Sequence, residues 1–405
     1  MTKAISIYIL LLAIAGAAYL HLLPHMTSDL SEYNIPWYEY LKSHKGLEGL
    51  ADIKANYSPP YLYVLAIVGK LLPNLNSLTA VKIACIPFLL ISSVFVVLII
   101  RLFHKEESTL SSVAGVGYIL LPTTMYNVAF MGQVDTMYTS FLLGSFWSLL
   151  RFINPLLGFV AFGMALSIKL QAMLFAPFIL YFAIHNRRHP VELTVIPISY
   201  VLMLLPALIA GRSMNDTFLV YLGQYNEFNS LSMNAPNIHY LIEHVIRWLT
   251  PSHEMIYIFI WIFLTLGAAV TLAFISAGLV RTRQSKLFSL SLATLILTTL
   301  PYVLPKMHER FFFPADAFSF VLICIIPKFW PIGVCLQAGS FISYLAYCYH
   351  VKGAPAIGMV FTSIGLGLLL IVTAVQWKPY GEAIMRRLEL SFSALCRVRT
   401  ALFPY

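Results

Sequence analysis

Charged residues are scarce in this sequence, and that scarcity decides its broad class. Of the 405 residues, 11% are charged and 59% are hydrophobic, and the mean hydropathy is +0.80. A soluble domain carries about 25% charged residues, which solvate its surface. The sequence also lacks any long polar stretch that could form a soluble domain. Lipid must therefore solvate most of the exterior, and residues 1–405 are predicted to form a single transmembrane domain.

Cysteine is scarce as well, and the common active-site signatures are absent. The five cysteines show no CxxC spacing, which argues against a disulfide framework or a zinc site. The sequence contains no GxGxxG or Walker loop, no HExxH and no GxSxG. No cofactor is therefore expected and no metal ligand is assigned, although a divalent cation stays an alternative that is not favoured.

What the sequence does contain is a series of long apolar runs. A helix needs about 20 apolar residues to cross a bilayer. The sequence therefore predicts an all-α polytopic membrane protein with about 12 transmembrane helices. The candidate spans are 4–23, 82–100, 108–127, 136–150, 155–173, 174–184, 191–210, 255–280, 287–304, 313–327, 330–348 and 354–376.

The Lys and Arg residues predict how these spans are oriented. If the N-terminus lies inside, the short inside loops contain Arg101, Arg187, Arg281 and Arg283. Cytoplasmic loops are enriched in such residues. Both termini, including the basic tail 377–405, are therefore predicted to be cytoplasmic in a plasma or inner membrane protein. The net charge of +9 then reflects topology, and nucleic acid is not expected as a partner.

The apolar segment 59–72 does not fit the alternation of spans. It is too short to cross, it contains Lys70, and it begins with Pro59 and Pro60, which favour a helix start. If it crossed, the arginine-containing loops would move outside. It is therefore predicted to lie flat in the outer interface, as one of the amphipathic helices of the first outer loop.

Polar side chains gather in the predicted outer loops and at the outer helix ends. Simple structural explanations exist for some of them: Asp135 could cap a helix, Lys169 could reach the interface, and the two asparagines around Pro236 could form a turn. The segment 306–310 resists such an explanation, because four ionisable residues between apolar runs are costly near a membrane. The candidate site residues are Asp29, Tyr57, Gln133, Asp135, Lys169, Gln171, Asn234, Asn237, Lys306, His308, Glu309 and Arg310.

In the first outer loop an early acidic residue is followed by Trp37, and four motifs come after them along the chain. These are Asn56-Tyr-Ser-Pro-Pro-Tyr-Leu-Tyr63, Gly132-Gln-Val-Asp135, Ser167-Ile-Lys-Leu-Gln171 and Leu304-Pro-Lys-Met-His-Glu-Arg310. Their order and spacing resemble those of GT-C glycosyltransferases, in particular the prokaryotic group related to the second mannosyltransferase of GPI-anchor synthesis. The resemblance covers roughly residues 20–320.

The resemblance implies an inverting enzyme with an extracytoplasmic active site. It would move mannose or another hexose from a polyprenyl-monophosphate donor to a glycan, lipid or protein acceptor. It also implies a conserved helical module over roughly 1–210, with further helices over 211–376. The catalytic acid of such enzymes follows the first span, and the matching residue here is Asp29; Asp52 and Glu32 stay alternatives.

Glycosyl transfer from a lipid phosphate requires a base, cations around the phosphate and an apolar path for the lipid. Asp29 is the candidate base, with Asp135 as its main rival. An apolar helix that could accompany a prenyl chain begins near Phe311. The catalytic candidates are Asp29, Asp135, His308 and Glu309. The donor-phosphate candidates are Lys306, His308, Arg310 and Lys169. The substrate-binding candidates are Tyr57, Gln133, Gln171, Asn234 and Asn237.

Two other classes of function stay open at this point. A secondary transporter carries ionisable residues near the bilayer midplane, often within repeated halves. Here these residues lie at the outer helix ends, and the two halves show no repeat. A non-catalytic subunit of a membrane assembly would not need a cationic cluster beside apolar helices. Besides membrane lipid, the expected partners are therefore the lipid-linked sugar donor and its acceptor.

Overall fold

The computed structural model describes residues 2–44, 46–104, 108–221, 230–249, 254–280 and 285–377. Helices form most of the described chain, which confirms the all-α prediction. The α-helices are α1 (Thr2–Leu22), α2 (Ile35–Ser43), α3 (Pro59–Leu71), α4 (Ser77–Ile83), α5 (Ile86–Arg101), α6 (Ser108–Ile119), α7 (Pro122–Met125), α8 (Asp135–Arg151), α9 (Leu156–Ile168), α10 (Ala176–His185), α11 (Val195–Ile209), α12 (Met214–Phe218), α13 (Ile238–Leu249), α14 (Glu254–Ser276), α15 (Lys286–Val303), α16 (Phe313–Ile325), α17 (Trp330–Tyr349) and α18 (Ala354–Trp377).

Within the described ranges, six helices are long and apolar enough to cross a bilayer. A bent pair, Ser111–Ile119 with Pro122–Phe130 at 50°, would make a seventh. The six are Ser77–Arg101, Pro190–Ile209, Met255–Leu279, Lys286–Val303, Pro327–Tyr349 and Ala354–Trp377. These helices indicate that the chain is a membrane protein. The count of about 12 stays a prediction, because helices such as α8 (17 residues) and α16 (13 residues) fall below the usual spanning length.

Helix α8 lies at the centre of the molecule. It packs against α5, α9 and α16, and nearly all of its first half is buried, including Asp135, Thr136 and Thr139. Hydroxyl groups in such a helix can bond to backbone carbonyls of their own turn, as Ser140 does to the carbonyl of Met137. Asp135, the first residue of α8, is therefore held rigidly.

The first outer loop forms short helices, as the sequence predicts. Helix α2 buries Trp37, Tyr38 and Leu41, and α3 packs against α2, α9 and α11. Lys82 on α4 donates hydrogen bonds to the carbonyls of Leu23 (2.8 Å) and His25 (2.5 Å), just past the end of α1. A cation satisfies carbonyl groups at a helix C-terminus well. The chain entering the loop is thereby fixed immediately before Asp29, while the flat placement of α3 in the interface stays a prediction.

Candidate active site

A cavity of about 380 Å³ lies between the first outer loop and the loop 304–312. Most of the candidate residues predicted from sequence line it, although they come from four separate parts of the chain. They are Asp29, Tyr57, Gln133, Lys169, Gln171, Lys306, His308 and Arg310. Asp135 and Glu309 lie behind this wall and contact lining residues. Asn234 bridges to the loop at His308, and Asn237 bonds to the carbonyl of Pro301 in α15.

Asp29 presents its carboxylate at the wall of the cavity. Its Oδ2 accepts a hydrogen bond from Gln133 Nε2 at 2.7 Å and pairs with Arg310 Nη2 at 3.3 Å. Its backbone N–H donates to the hydroxyl of Tyr347 on α17 at 3.3 Å. The side chain is 26% exposed, so a ligand in the cavity can reach it. The alternative acids Asp52 and Glu32 are exposed and lie outside the cavity wall.

Asp135 and Lys169 form a buried ion pair. Lys169 Nζ lies 2.7 Å from Asp135 Oδ1, and Asn127 Nδ2 donates to Asp135 Oδ2 at 3.0 Å. Lys169 directly follows the last residue of α9 and has an extended backbone. The 3₁₀ turn Leu170–Phe175 begins immediately after it. With both oxygens of Asp135 bonded, this carboxylate holds Lys169 in the cavity wall and does not itself line the cavity.

Three aromatic rings surround the ammonium group of Lys169. Its Nζ lies 6.0 Å from the ring centroid of Tyr57, 5.9 Å from that of Tyr138 and 5.8 Å from that of Phe311. Ring faces attract a cation, and the attraction strengthens when water is excluded. The positive charge is thereby kept at a fixed place beside the cavity.

The loop 304–312 is shaped by an unusual backbone at Lys306. This residue adopts a positive φ of 60°, and its N–H donates to the carbonyl of Leu231 at 2.8 Å. The next two residues form a short strand, β2 (Met307–His308), which pairs in parallel with β1 (Ser232–Met233). A non-glycine residue with positive φ persists where surrounding contacts hold it. The β1–β2 pairing thus fixes the direction in which the cationic side chains leave the loop.

Burial sets the protonation of the loop side chains. Burial, with Arg310 and Lys169 nearby, holds the pKa of His308 well below its usual range, so the imidazole is neutral at pH 7. Burial also raises the pKa of Glu309, while the guanidinium of Arg310 opposes this shift. Glu309 Oε1 lies 3.2 Å from Arg310 Nη1. Arg310 is therefore held between Glu309 at its back and Asp29 at the cavity.

The two asparagines lie against backbone instead of the cavity. Asn234 has a φ of 58° and bridges to His308, a conformation that asparagine tolerates better than most residues. Asn237 is buried, and its Nδ2 donates to the carbonyl of Pro301 at 3.1 Å. The structure thus favours the turn interpretation of this segment, and the substrate-binding role of both residues stays a prediction.

Sequence reasoning missed part of the cavity wall. Tyr33, Asn34, Trp37 and Asn56 also line it. Tyr33 and Trp37 lie four residues apart, and their ring centroids are 5.8 Å apart. The spacing of an aromatic pair soon after Asp29 was a usable signal, because residues four apart in a helix share a face.

An apolar groove of about 430 Å³ continues from the cavity. The two share Leu170, Gln171, Leu304, Met307 and Phe311. The groove runs between α10, α14 and α15, where Leu180, Thr271 and Leu300 are among its lining residues. At its rim, Leu170 and Met173 are 44% and 49% exposed.

Among the described residues, no three His, Cys, Asp or Glu side chains are grouped closely enough to hold a metal ion. The expectation that the protein needs no metal stays a prediction. The cations that the site offers to a ligand are its own Lys169, Lys306 and Arg310.

The fold and the site together define a helical membrane protein with a polar, cation-lined cavity that opens into an apolar groove. The sequence model of glycosyltransferase family 87 matches residues 56–305, more than half of the chain. The chain therefore belongs to glycosyltransferase family 87, a GT-C-type family. No curated protein and no solved structure matches it.

The family assignment confirms that the protein is a GT-C-type glycosyltransferase, as the motifs predicted. An enzyme is therefore favoured over a transporter or a non-catalytic subunit. The relation to the second GPI mannosyltransferase stays a prediction.

Proposed function

We propose that this glycosyltransferase moves a hexose, by default mannose, from a polyprenyl-monophosphate donor to an acceptor outside the cytoplasm, with inversion at the anomeric carbon. The observation that carries the proposal is the continuity of the cation-lined cavity with the apolar groove. The acceptor is a glycan, a lipid or a protein. The site faces the outer side of the plasma or inner membrane, and both termini are cytoplasmic.

The groove supports a lipid-linked donor over a soluble nucleotide sugar. A nucleotide needs polar contacts along its whole length, whereas the groove is lined by Leu174, Pro177, Leu180 and Leu300, among other apolar side chains. A prenyl chain lying there would remove its own apolar surface from water, which is favourable in proportion to the area buried. Its phosphate would then reach the cavity near Met307 and Phe311, where groove and cavity meet.

The cations of the cavity suit a single phosphate group. Arg310 presents a guanidinium with several donors, and Lys169 and Lys306 add point charges to the same cavity wall. As the bond between the anomeric carbon and the phosphate oxygen breaks, negative charge grows on the departing phosphate. Fixed cations stabilise that charge at little reorganisation cost because they are already in place.

Asp29 would act as the general base. It takes the proton from the acceptor hydroxyl while that oxygen bonds to the anomeric carbon and the lipid phosphate leaves from the opposite face. A single displacement of this kind inverts the anomeric configuration. Gln133 and Arg310 hold Oδ2 of Asp29, which orients the carboxylate toward the cavity.

The direct test uses the purified protein in liposomes with radiolabelled polyprenyl-phosphate mannose, glucose or galactose and a panel of acceptors. We expect release of polyprenyl phosphate coupled to one labelled product, whose anomeric linkage is opposite to that of the donor. Transfer from nucleotide sugars in place of lipid-linked sugars would contradict the donor assignment. Retention of the anomeric configuration would contradict the single displacement.

A further inference from the structure

Helix α13 presents three different faces. His239, Glu243 and Ile246 point into the protein and are buried. Tyr240, His244 and Arg247 form a polar stripe, and 47% of the Arg247 side chain is exposed. The third face consists of exposed apolar side chains, which are Leu241 (46%), Val245 (46%), Trp248 (83%) and Leu249 (63%).

The two exposed faces of α13 point in different directions. At 3.6 residues per turn, the centres of the polar and the apolar stripe lie about 110° apart around the helix axis. A helix that lies along a bilayer surface at the flank of a protein needs this arrangement, with one side in protein, one in water and one in lipid. Trp248, at the apolar face, is a residue type enriched at the lipid headgroup level.

Contacts with α15 fix the level of α13 relative to the bilayer. His239 Nε2 bonds to the carbonyl of Val303 at 2.6 Å, and Asn237 Nδ2 bonds to that of Pro301. Val303 is the last residue of the candidate span Lys286–Val303. A second candidate span, Met255–Leu279, begins a few residues after the end of α13. The helix therefore lies where two spans reach the membrane boundary, at the level of the loop 304–312.

Glu243 connects α13 to that loop. Its Oε2 accepts hydrogen bonds from the backbone N–H groups of Leu231 (2.8 Å) and Ser232 (3.1 Å). The carbonyl of Leu231 in turn accepts from the N–H of Lys306, and Ser232 pairs with Met307. The other oxygen of Glu243 pairs with Arg247 on the polar stripe.

We propose that α13 lies in the outer-leaflet interface with Leu241, Val245 and Trp248 in lipid, and that Glu243 is a positioning residue that holds the loop carrying Lys306, His308 and Arg310. The bilayer surface is thus the partner of the apolar face, and lipid contact supports the geometry of the cationic loop. The second half of this statement rests on the proposed function, whereas the lipid contact is independent of it.

Trp248 reports the lipid contact directly. We compare fluorescence quenching of the wild type and of Trp248→Phe in liposomes whose lipids carry bromine at a shallow or a deep acyl position. We expect the emission lost in Trp248→Phe to be quenched most by shallow bromines and little by aqueous iodide. Quenching by iodide but not by bromolipid would place Trp248 in water, and protection from both would place it against protein; either result overturns the interfacial placement.

Variants of the Glu243 pair test the positioning role. Glu243→Ala leaves two N–H groups without their acceptor, and we expect a fall in kcat/KM for the donor of about tenfold or more. Glu243→Gln keeps an acceptor oxygen, and Arg247→Ala removes only the half-exposed partner, so both should stay within about twofold of wild type. Glu243→Asp, with its carboxylate drawn back by one methylene, is the variant to use if Glu243→Ala does not fold.

The outcomes separate the two proposals. Wild-type transfer by Glu243→Ala, or equal losses in Glu243→Ala and Glu243→Gln, would overturn the positioning role. Bromolipid quenching of Trp248 in the Glu243→Ala protein would show that α13 still lies against lipid in this variant. If the wild type transfers no sugar from lipid-linked donors, the proposed function fails, and the quenching result still decides the lipid contact.

Discussion

The carboxylate of Asp29 shares its Oδ2 atom between an amide donor and a guanidinium, and this shapes its reactivity. Gln133 and Arg310 both contact this oxygen. These two contacts fix the orientation of the carboxylate. The guanidinium of Arg310 also lines the cavity, where the phosphate of the proposed donor would lie.

Asp29→Asn should remove transfer while leaving the fold intact. The amide keeps the shape of the side chain and loses the basic oxygen, and general-base loss typically lowers a rate by about 10²–10⁴-fold. Initial rates at saturating donor and acceptor measure the effect. Asp52→Asn, at an exposed position in the same loop, is the matched control and should transfer normally. An active Asp29→Asn enzyme would move the base to another carboxylate.

Arg310→Ala should weaken donor use, and it should also lower stability because it leaves the buried carboxylate of Glu309 without its cation. The loss of a charge-assisted hydrogen bond costs about 1.5–3 kcal/mol, which corresponds to roughly a 10- to 150-fold rise in donor KM. Lys306→Ala should act in the same direction, and Lys70→Ala, which is exposed and distant in sequence, serves as the control. Rates at limiting donor decide the matter: wild-type rates in both variants would exclude the phosphate role.

Asp135→Asn should destabilise the protein through Lys169. The substitution leaves a buried ammonium without its carboxylate, and breaking a buried ion pair costs about 3–5 kcal/mol. The double variant Asp135→Asn, Lys169→Met should recover much of that loss, since no unpaired charge remains. Thermal unfolding of the three proteins in one detergent provides the comparison, and a single variant that melts like the wild type would contradict the structural role.

At the scale of elements, the groove between α10, α14 and α15 is where the lipid tail of the proposed donor would lie. Thr271 lies in its wall, whereas Leu272, the next residue of α14, is 65% exposed. Two neighbouring positions on one helix thus face the groove and the outside. A phenylalanine can be placed at either one with a change in helix propensity of only a few tenths of a kcal/mol, about 0.5 at most.

Thr271→Phe should raise KM for donors with long prenyl chains and affect short-chain donors little, because a filled groove excludes the tail but leaves the cavity open. Leu272→Phe, the matched control, should leave both unchanged. A series of donors with increasing chain length measures the effect. Equal losses for all chain lengths would show that the tail does not lie in this groove.

The helices were the part of the fold that the sequence could predict. Each of the twelve predicted apolar segments contains helix in the structure, since an apolar backbone in lipid must bond internally. Periodicity cannot say whether a short apolar helix crosses, as α9 and α16 illustrate with 13 residues each. The number of spans depends on packing against neighbours, which no local pattern contains.

At the scale of the whole molecule, the proposed orientation can be tested from both sides of the membrane. His189 lies in a predicted inside loop and Asp52 in the first outer loop, and both are exposed. In a protein whose native cysteines are replaced, Asp52→Cys should react with a membrane-impermeant maleimide in intact cells. His189→Cys should react only after permeabilisation, and labelling in the opposite order would invert the topology.

The sequence could predict which residues belong to the candidate site but not which of them bond to each other. Polar residues in an apolar chain stand out, so Asp29, Asp135 and the segment 306–310 were recognised from sequence alone. That Asp135 is bonded to Lys169, while Arg310 reaches Asp29, depends on how distant helices pack. The sequence predicted an apolar path near Phe311, which does line the groove. The course of the groove between α10, α14 and α15 could not be predicted, because its other lining residues look like those of any membrane helix.

The rim of the groove, at Leu170 and Met173, has a kinetic consequence. A donor that enters there arrives by lateral diffusion within the leaflet, so its effective concentration is a mole fraction of the bilayer. Adding inert phospholipid at constant bulk donor would slow the reaction, and the spent carrier would return to the same two-dimensional pool. Enzymes that draw on one carrier would then compete through the composition of the membrane they share.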